Sequence, residues 1–127
     1  MFKNLSMFET SFAMARHAGA RQAVTAANIA NADTPGYRAQ SIAPFRDTYQ
    51  TQGTLQIQST RAGHLAGQKS ATQARAVDSS AEPAPNGNSV SLELEMVNAV
   101  EIQREHSRAM MIYKHSLDVM RMSISRR

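Results

Sequence analysis

The chain has 127 residues, a formal net charge of +4 and 42% hydrophobic residues, but only 6% aromatics and no Trp. That length and composition fit one small unit with little apolar area to bury per residue, so an isolated monomer is expected to be marginally stable. The absence of Cys excludes a disulfide framework and thiolate chemistry, and basic residues scattered without a run of three indicate a solvated surface rather than a nucleic-acid footprint.

The first predicted element is a long helix within residues 1–33. Leu5, Phe8, Phe12, Ala15, Gly19, Gln22, Ala26 and Ile29 recur at alternating spacings of three and four, which places them on one helical face. Asn4, Ser6, Glu9, Thr10 and Ser11 interrupt any signal-peptide apolar core, so this segment is expected to be mature helix.

The helix is expected to stop within NIANADTPGY, Asn28 to Tyr37. Thr34 precedes Pro35 and is pushed out of the α region. Pro35 presets φ at the second position of a turn and Gly36 tolerates positive φ at the third, so Thr34-Pro35-Gly36-Tyr37 predicts a type II turn. Asn28, Asn31 and Asp33 have short side chains suited to local backbone groups where the helix unwinds. By itself TPGY needs no function beyond ending a helix.

Residues 34–88 form the predicted irregular middle. Its apolar residues are sparse, and such a composition does not offset the entropy of its own ordering, so it is expected to be mobile unless a partner orders it. TLQIQST, Thr54 to Thr60, alternates as a short strand would, and Asn86-Gly87 predicts a tight turn.

The last element, within 89–127, is a second long helix. Leu92, Met96, Ala99, Gln103, His106, Met110, Tyr113, Leu117, Met120 and Ile124 sustain a heptad pattern for more than four heptads. Ser89 or Ser91 fits the N-cap, with Glu93 and Glu95 following where the helix dipole favours acid, and Arg121, Arg126 and Arg127 at the end where it favours base. At 1.5 Å per residue this helix reaches about 50 Å, which suits a rod or coiled coil rather than a globule. The expected fold is therefore mainly α: two long terminal helices in a coiled-coil-like hairpin, with an irregular, partly disordered middle carrying a short β segment. Ordinary core filling accounts for most of Met96, Met110, Met111, Met120 and Met122.

Enzyme chemistry has no footing in the pattern. His17, His64, His106 and His115 lack metal-ligand spacing, there is no Gly-rich phosphate loop or nucleophile elbow, and Asp33 and Asp47 are isolated carboxylates. No catalytic, cofactor-binding or metal residue is assigned. The candidate residues are instead the turn (Asn28, Ile29, Ala30, Asn31, Asp33, Thr34, Pro35, Gly36 and Tyr37) and an assembly seam. That seam comprises Leu5, Phe8, Phe12 and Ile29 with Leu92, Met96, Ala99, His106, Met110, Tyr113, Leu117, Met120 and Ile124.

ANIANADTPGYRA, Ala27 to Ala39, closely resembles the N-terminal signature of the bacterial flagellar rod and hook proteins. NGNSV (Asn86 to Val90) followed by LELEM (Leu92 to Met96) resembles the approach to the C-terminal helix in the short proximal-rod members. ST and GHL, between Ser59 and Leu65, are similar to the middle of those members. The resemblance covers both termini, about half the chain; it departs at His106, where the family implies an aromatic residue. It implies a structural subunit of the flagellar basal-body rod, synthesised in the cytoplasm and exported unfolded by the type III apparatus without a cleaved signal peptide. Such a subunit polymerises helically in the periplasm, its paired terminal helices surround the axial channel, and the rod transmits torque from the membrane ring to the hook. The implied partners are copies of itself, other rod proteins, and membrane-ring and export-gate components at the rod base, with no nucleic acid and no membrane insertion. The alternatives are a different rod component of the same family or a coiled-coil subunit of a related secretion apparatus.

Overall fold

The computed structural model describes residues 2–51 and 74–125, and their side chains from Ser6 to Tyr49 and from Ala74 onward. In chain order these form α1 (Phe2–Ala30), β1 (Gln40–Ser41), α2 (Phe45–Thr51), β2 (Val77–Asp78) and α3 (Leu92–Ile124). The architecture is mainly helical, with α1 and α3 packed along each other as a hairpin. Their direction is antiparallel: Phe8 meets Tyr113 edge-to-face at 5.4 Å, and further along α1 Arg21 meets Glu105.

Alanine-rich α1 is built from strong helix formers. In α3, Glu93 and Glu95 occupy the first turn and Arg121 the last, matching the dipole. Ser91 is the N-cap residue, with extended φ −102° and ψ 109°, but its side chain makes no cap bond. Its carbonyl accepts from Glu95 N–H at 3.0 Å.

The packed faces are small and polar. On α1, Ser11, His17, Ala18, Thr25 and Asn28 are buried, with Met14 and Arg21 half-buried between them; on α3, Ile102, Ala109 and Ser116 are buried. Ala109 is 0% exposed. Two of these hydroxyls are satisfied within their own helices: Ser11 donates to Phe8 C=O at 3.0 Å and Ser116 to Ile112 C=O at 2.9 Å. A small-residue face lets the helix backbones approach while leaving few large apolar groups inside.

The heptad stripe of α3 does not coincide with this packed face along its whole length. Leu92, Met96 and Met110 are exposed, whereas Tyr113, Leu117 and Met120 are half-buried. The buried residues Ile102, Ala109 and Ser116 keep a seven-residue repeat of their own, three residues beyond Ala99, His106 and Tyr113, so the stripe lies beside the packed face: its Ala99, His106, Tyr113 and Met120 edge is half-buried, and Met96, Gln103 and Met110 on its other edge are exposed.

The middle carries a short β segment, as expected, though at positions that no alternation marks, and a short helix that the sequence does not reveal. β1 and β2 pair antiparallel, Gln40 with Asp78 and Ser41 with Val77. The short helix α2 starts where Pro44 C=O accepts from Asp47 N–H at 3.1 Å and Thr48 N–H at 3.3 Å, with Asp47 in its first turn. With Phe45 and Tyr49 as its large apolar residues, α2 is too short for periodicity to reveal. The predicted strand Thr54–Thr60, the Ser59–Leu65 resemblance and His64 lie outside the described residues. Among the described residues no helix is long and apolar enough to cross a membrane.

Candidate functional site

The end of α1 is where the two family-like stretches meet. The last turn loosens gradually: Asn31 N–H bonds both Ala27 C=O and Asn28 C=O at 3.1 Å, and Ala32 N–H bonds Ile29 C=O at 3.2 Å. Asn31 Nδ2 donates to Ala27 C=O at 2.7 Å, and its Oδ1 accepts from the Thr34 hydroxyl at 3.3 Å. Tyr37 N–H then closes a turn onto Thr34 C=O at 3.3 Å, and Gly36 sits at φ +72°. The turn has the geometry that Pro35-Gly36 predicts.

Asn28 is 0% exposed and reaches out of its helix. Its Nδ2 donates to Gln40 C=O at 2.7 Å, and its Oδ1 accepts from Gln40 N–H at 3.1 Å and from the Tyr37 hydroxyl at 3.3 Å. Ala39 C=O meanwhile accepts from Ser79 N–H at 2.7 Å beside β2. Backbone groups alternate sides along a strand, so Gln40 faces away from β2, and the Asn28 amide occupies the place of a neighbouring strand.

Asn88 works from the other end of the chain. Its Nδ2 donates towards three carbonyls just beyond the end of α1: Asn31 at 2.9 Å, Ala32 at 2.7 Å and Thr34 at 3.0 Å, of which Asn31 C=O also accepts from Thr34 N–H and Thr34 C=O from Tyr37 N–H. Its Oδ1 accepts from Val90 N–H at 2.8 Å, and its own N–H donates to Asn86 Oδ1 at 3.0 Å. Three further bonds zip the segments: Gly36 N–H to Asn86 C=O at 3.0 Å, Ser89 N–H to Tyr37 C=O at 3.1 Å, and Ala39 N–H to the Ser89 hydroxyl at 2.9 Å. Gly87, at φ +78°, lies against Gly36; a Cβ there would stand 3.3 Å from Gly36 Cα. The site is a clamp joining the end of α1 to the approach to α3. It positions backbone and holds no reactive constellation.

The helices are also tied by charge. Arg21 Nη1 donates to Glu105 Oε2 at 2.7 Å, with the two side chains 12% and 29% exposed. His17, buried beside this pair, is held below the ordinary histidine pKa by burial first and by the Arg21 charge second, against a smaller opposing effect of Glu105. Among the described residues no group of His, Asp and Glu could hold a metal ion.

The turn residues divide by burial. Asn28 is buried, Ile29, Asn31 and Tyr37 are half-buried, and Ala30, Asp33, Thr34, Pro35 and Gly36 are exposed. Of the seam residues, Phe8, Ile29, Ala99, His106, Tyr113, Leu117 and Met120 are half-buried; Phe12, Leu92, Met96, Met110 and Ile124 are exposed. Phe12 lies under the Arg16 guanidinium at 5.9 Å. The side chain of Leu5 is outside the described ones. The two heptad stripes still meet: Gly19, Gln22 and Ala26 of α1 and Gln103 and His106 of α3 line one groove on the hairpin surface. Gln40, Asn88, Ser89 and the Arg21–Glu105 pair had no local signal as site residues; the nearest was the NGNSV string itself.

Comparison with known proteins points one way. A family model described as Flagella basal body rod protein matches residues 14–38, which run from within α1 through the turn to the edge of β1. The curated flagellar basal body rod protein FlgB of Agrobacterium fabrum (strain C58 / ATCC 33970) is 30% identical over 127 residues, covering 96% of this chain and 95% of that protein.

Proposed function

The chain belongs to the flagellar basal body rod protein family, and from that premise we propose that it is a proximal-rod subunit exported unfolded and polymerised in the periplasm. As a family member it is a structural component of the rod, in the flagellar basal body. In the proposed mechanism it leaves the cytoplasm through the flagellar type III apparatus without a cleaved signal peptide. The terminal helices, within 1–33 and 89–127, form the layer around the axial channel and carry torque from membrane ring to hook. Its neighbours are copies of itself and other rod proteins, with membrane-ring and export-gate components at the base.

One observation carries the polymerisation step. Part of each heptad stripe stays outside the hairpin core: Gly19, Gln22, Ala26 and Gln103 line the shared groove, and Phe12, Leu92, Met96 and Met110 are exposed. A hairpin that satisfies itself with small and polar residues keeps its large apolar side chains for other contacts. Repetition of one heterologous contact generates a helical filament rather than a closed dimer. The seam residues named from the sequence are the proposed contact set. A reconstruction of the basal body tests the position: density for this subunit next to the export gate is expected, and density confined to the hook-proximal end would replace this reading with a distal rod component.

A further inference from the structure

His17 is 2% exposed, and both its ring nitrogens are buried with no hydrogen-bond partner among the described residues. It sits where three helices meet. Its ring packs edge-on against Phe45 of α2, with centroids 5.5 Å apart, and Phe45 in turn stacks on Tyr49 at 5.6 Å. From α1 the facing charge is Arg21, and from α3 it is Glu105, already engaged by Arg21 at 2.7 Å. From α2 the facing groups are the rings of Phe45 and, behind it, Tyr49, while Arg46 and Asp47 are exposed.

We propose that His17 is a proton-operated latch: neutral, it holds α2 against α1; protonated, it lets α2 go while the α1–α3 hairpin stays closed. A neutral imidazole in this site behaves as an aromatic packing surface. An imidazolium would bring two N–H donors and a positive charge into a site whose one carboxylate is taken and whose nearest cation repels it. The least costly response is local. α2 spans only Phe45–Thr51 and touches α1 over a small area that includes this ring contact, whereas α1 and α3 are held along their length by packing, the ion pair and the clamp. Released, α2 offers Phe45 and Tyr49 to another surface.

The released ring takes up its proton near the ordinary value of about 6.5, whereas the docked ring does so only at lower pH. Docking is therefore at full strength above about pH 6.5 and weakens below it, by up to about tenfold per pH unit until the docked ring also titrates.

The three tyrosines make the test local, since Tyr49 reports α2, Tyr113 the hairpin and Tyr37 the clamp. The full chain labelled with 3-fluorotyrosine would be followed by fluorine NMR from pH 7.5 to 5. The expected result is movement of the Tyr49 resonance towards its unfolded position below about pH 6.5, with Tyr113 and Tyr37 unmoved. In His17→Phe, or His17→Leu should the larger ring disturb packing, Tyr49 should stay at its docked position throughout, because both keep an apolar surface there and neither takes up a proton. Three outcomes overturn the latch: a Tyr49 signal indifferent to pH in the wild type, the same Tyr49 titration in both variants, or Tyr113 moving together with Tyr49.

Discussion

Asn28 and Gln40 are joined as two adjacent strands would be: the Asn28 side-chain amide gives one hydrogen bond to the Gln40 carbonyl and takes one from the Gln40 N–H, at 2.7 and 3.1 Å. A helix residue thereby ends the sheet on that side. Truncation in Asn28→Ala leaves both Gln40 groups without that partner and is expected to cost about 2–4 kcal/mol. Asn28→Asp retains the acceptor but sets a buried carboxylate against the Gln40 carbonyl, so it should be no more stable than the alanine variant. Urea denaturation followed by circular dichroism checks the order, and an aspartate variant close to wild type would mean that the donated bond is unimportant.

Asn88 supplies donors to carbonyls at the end of α1, where the helix dipole is negative. Asn88→Ala should therefore destabilise the hairpin by about 1–3 kcal/mol. Asn88→Asp should be worse than alanine despite its similar shape, because it faces three oxygens with a charge. Thermal unfolding of the two variants at neutral pH measures this, and equal melting temperatures would contradict the clamp.

The two glycines of the clamp should differ in sensitivity. Gly36 has open space where a Cβ would sit, so substitution there costs conformational strain alone, about 1–3 kcal/mol for Gly36→Val. Gly87→Ala meets both a positive φ and a 3.3 Å contact with Gly36 Cα, and it should exceed Gly36→Ala. In cells, Gly36→Val should abolish motility with normal synthesis of the protein. Swimming at the wild-type rate would argue that the turn tolerates another geometry.

The outer face of α3 separates folding from assembly. Met110 is 37% exposed, so Met110→Glu should leave the monomer's stability within about 0.5 kcal/mol while burying a carboxylate at the proposed repeating contact. Arg108→Glu, off that stripe, should be milder, and Ala109→Glu should break the hairpin itself. Basal bodies purified from the three strains, with periplasmic immunoblots for export, read the difference. Intact rods in the Met110→Glu strain would place the contact on another face.

The Arg21–Glu105 pair is mostly withdrawn from solvent, at 12% and 29% exposure, and is expected to couple by about 1–2 kcal/mol with weak salt dependence. A double-mutant cycle with Arg21→Gln and Glu105→Gln measures it. Coupling indistinguishable from zero would reduce the pair to a coincidence of packing.

The sequence by itself determined what neighbouring residues can impose on one another. Pro35 restricts Thr34, Gly36 alone accepts φ +72° without strain, and sustained periodicity marks α3, found from Leu92 to Ile124. The signature from Ala27 to Ala39 also carried the family. Tertiary structure decided which face packs and which polar groups meet. Ser11, Thr25 and Ser116 lie inside while Met96 and Met110 lie outside, the reverse of what hydrophobicity alone indicates, because close helix approach favours small side chains and local bonds satisfy two of the three hydroxyls. Asn28 and Asn88 look in sequence like residues for local turns. Their partners at Gln40 and at the end of α1 exist only once distant segments have folded together, since an amide side chain pairs with whichever backbone groups the fold brings to it.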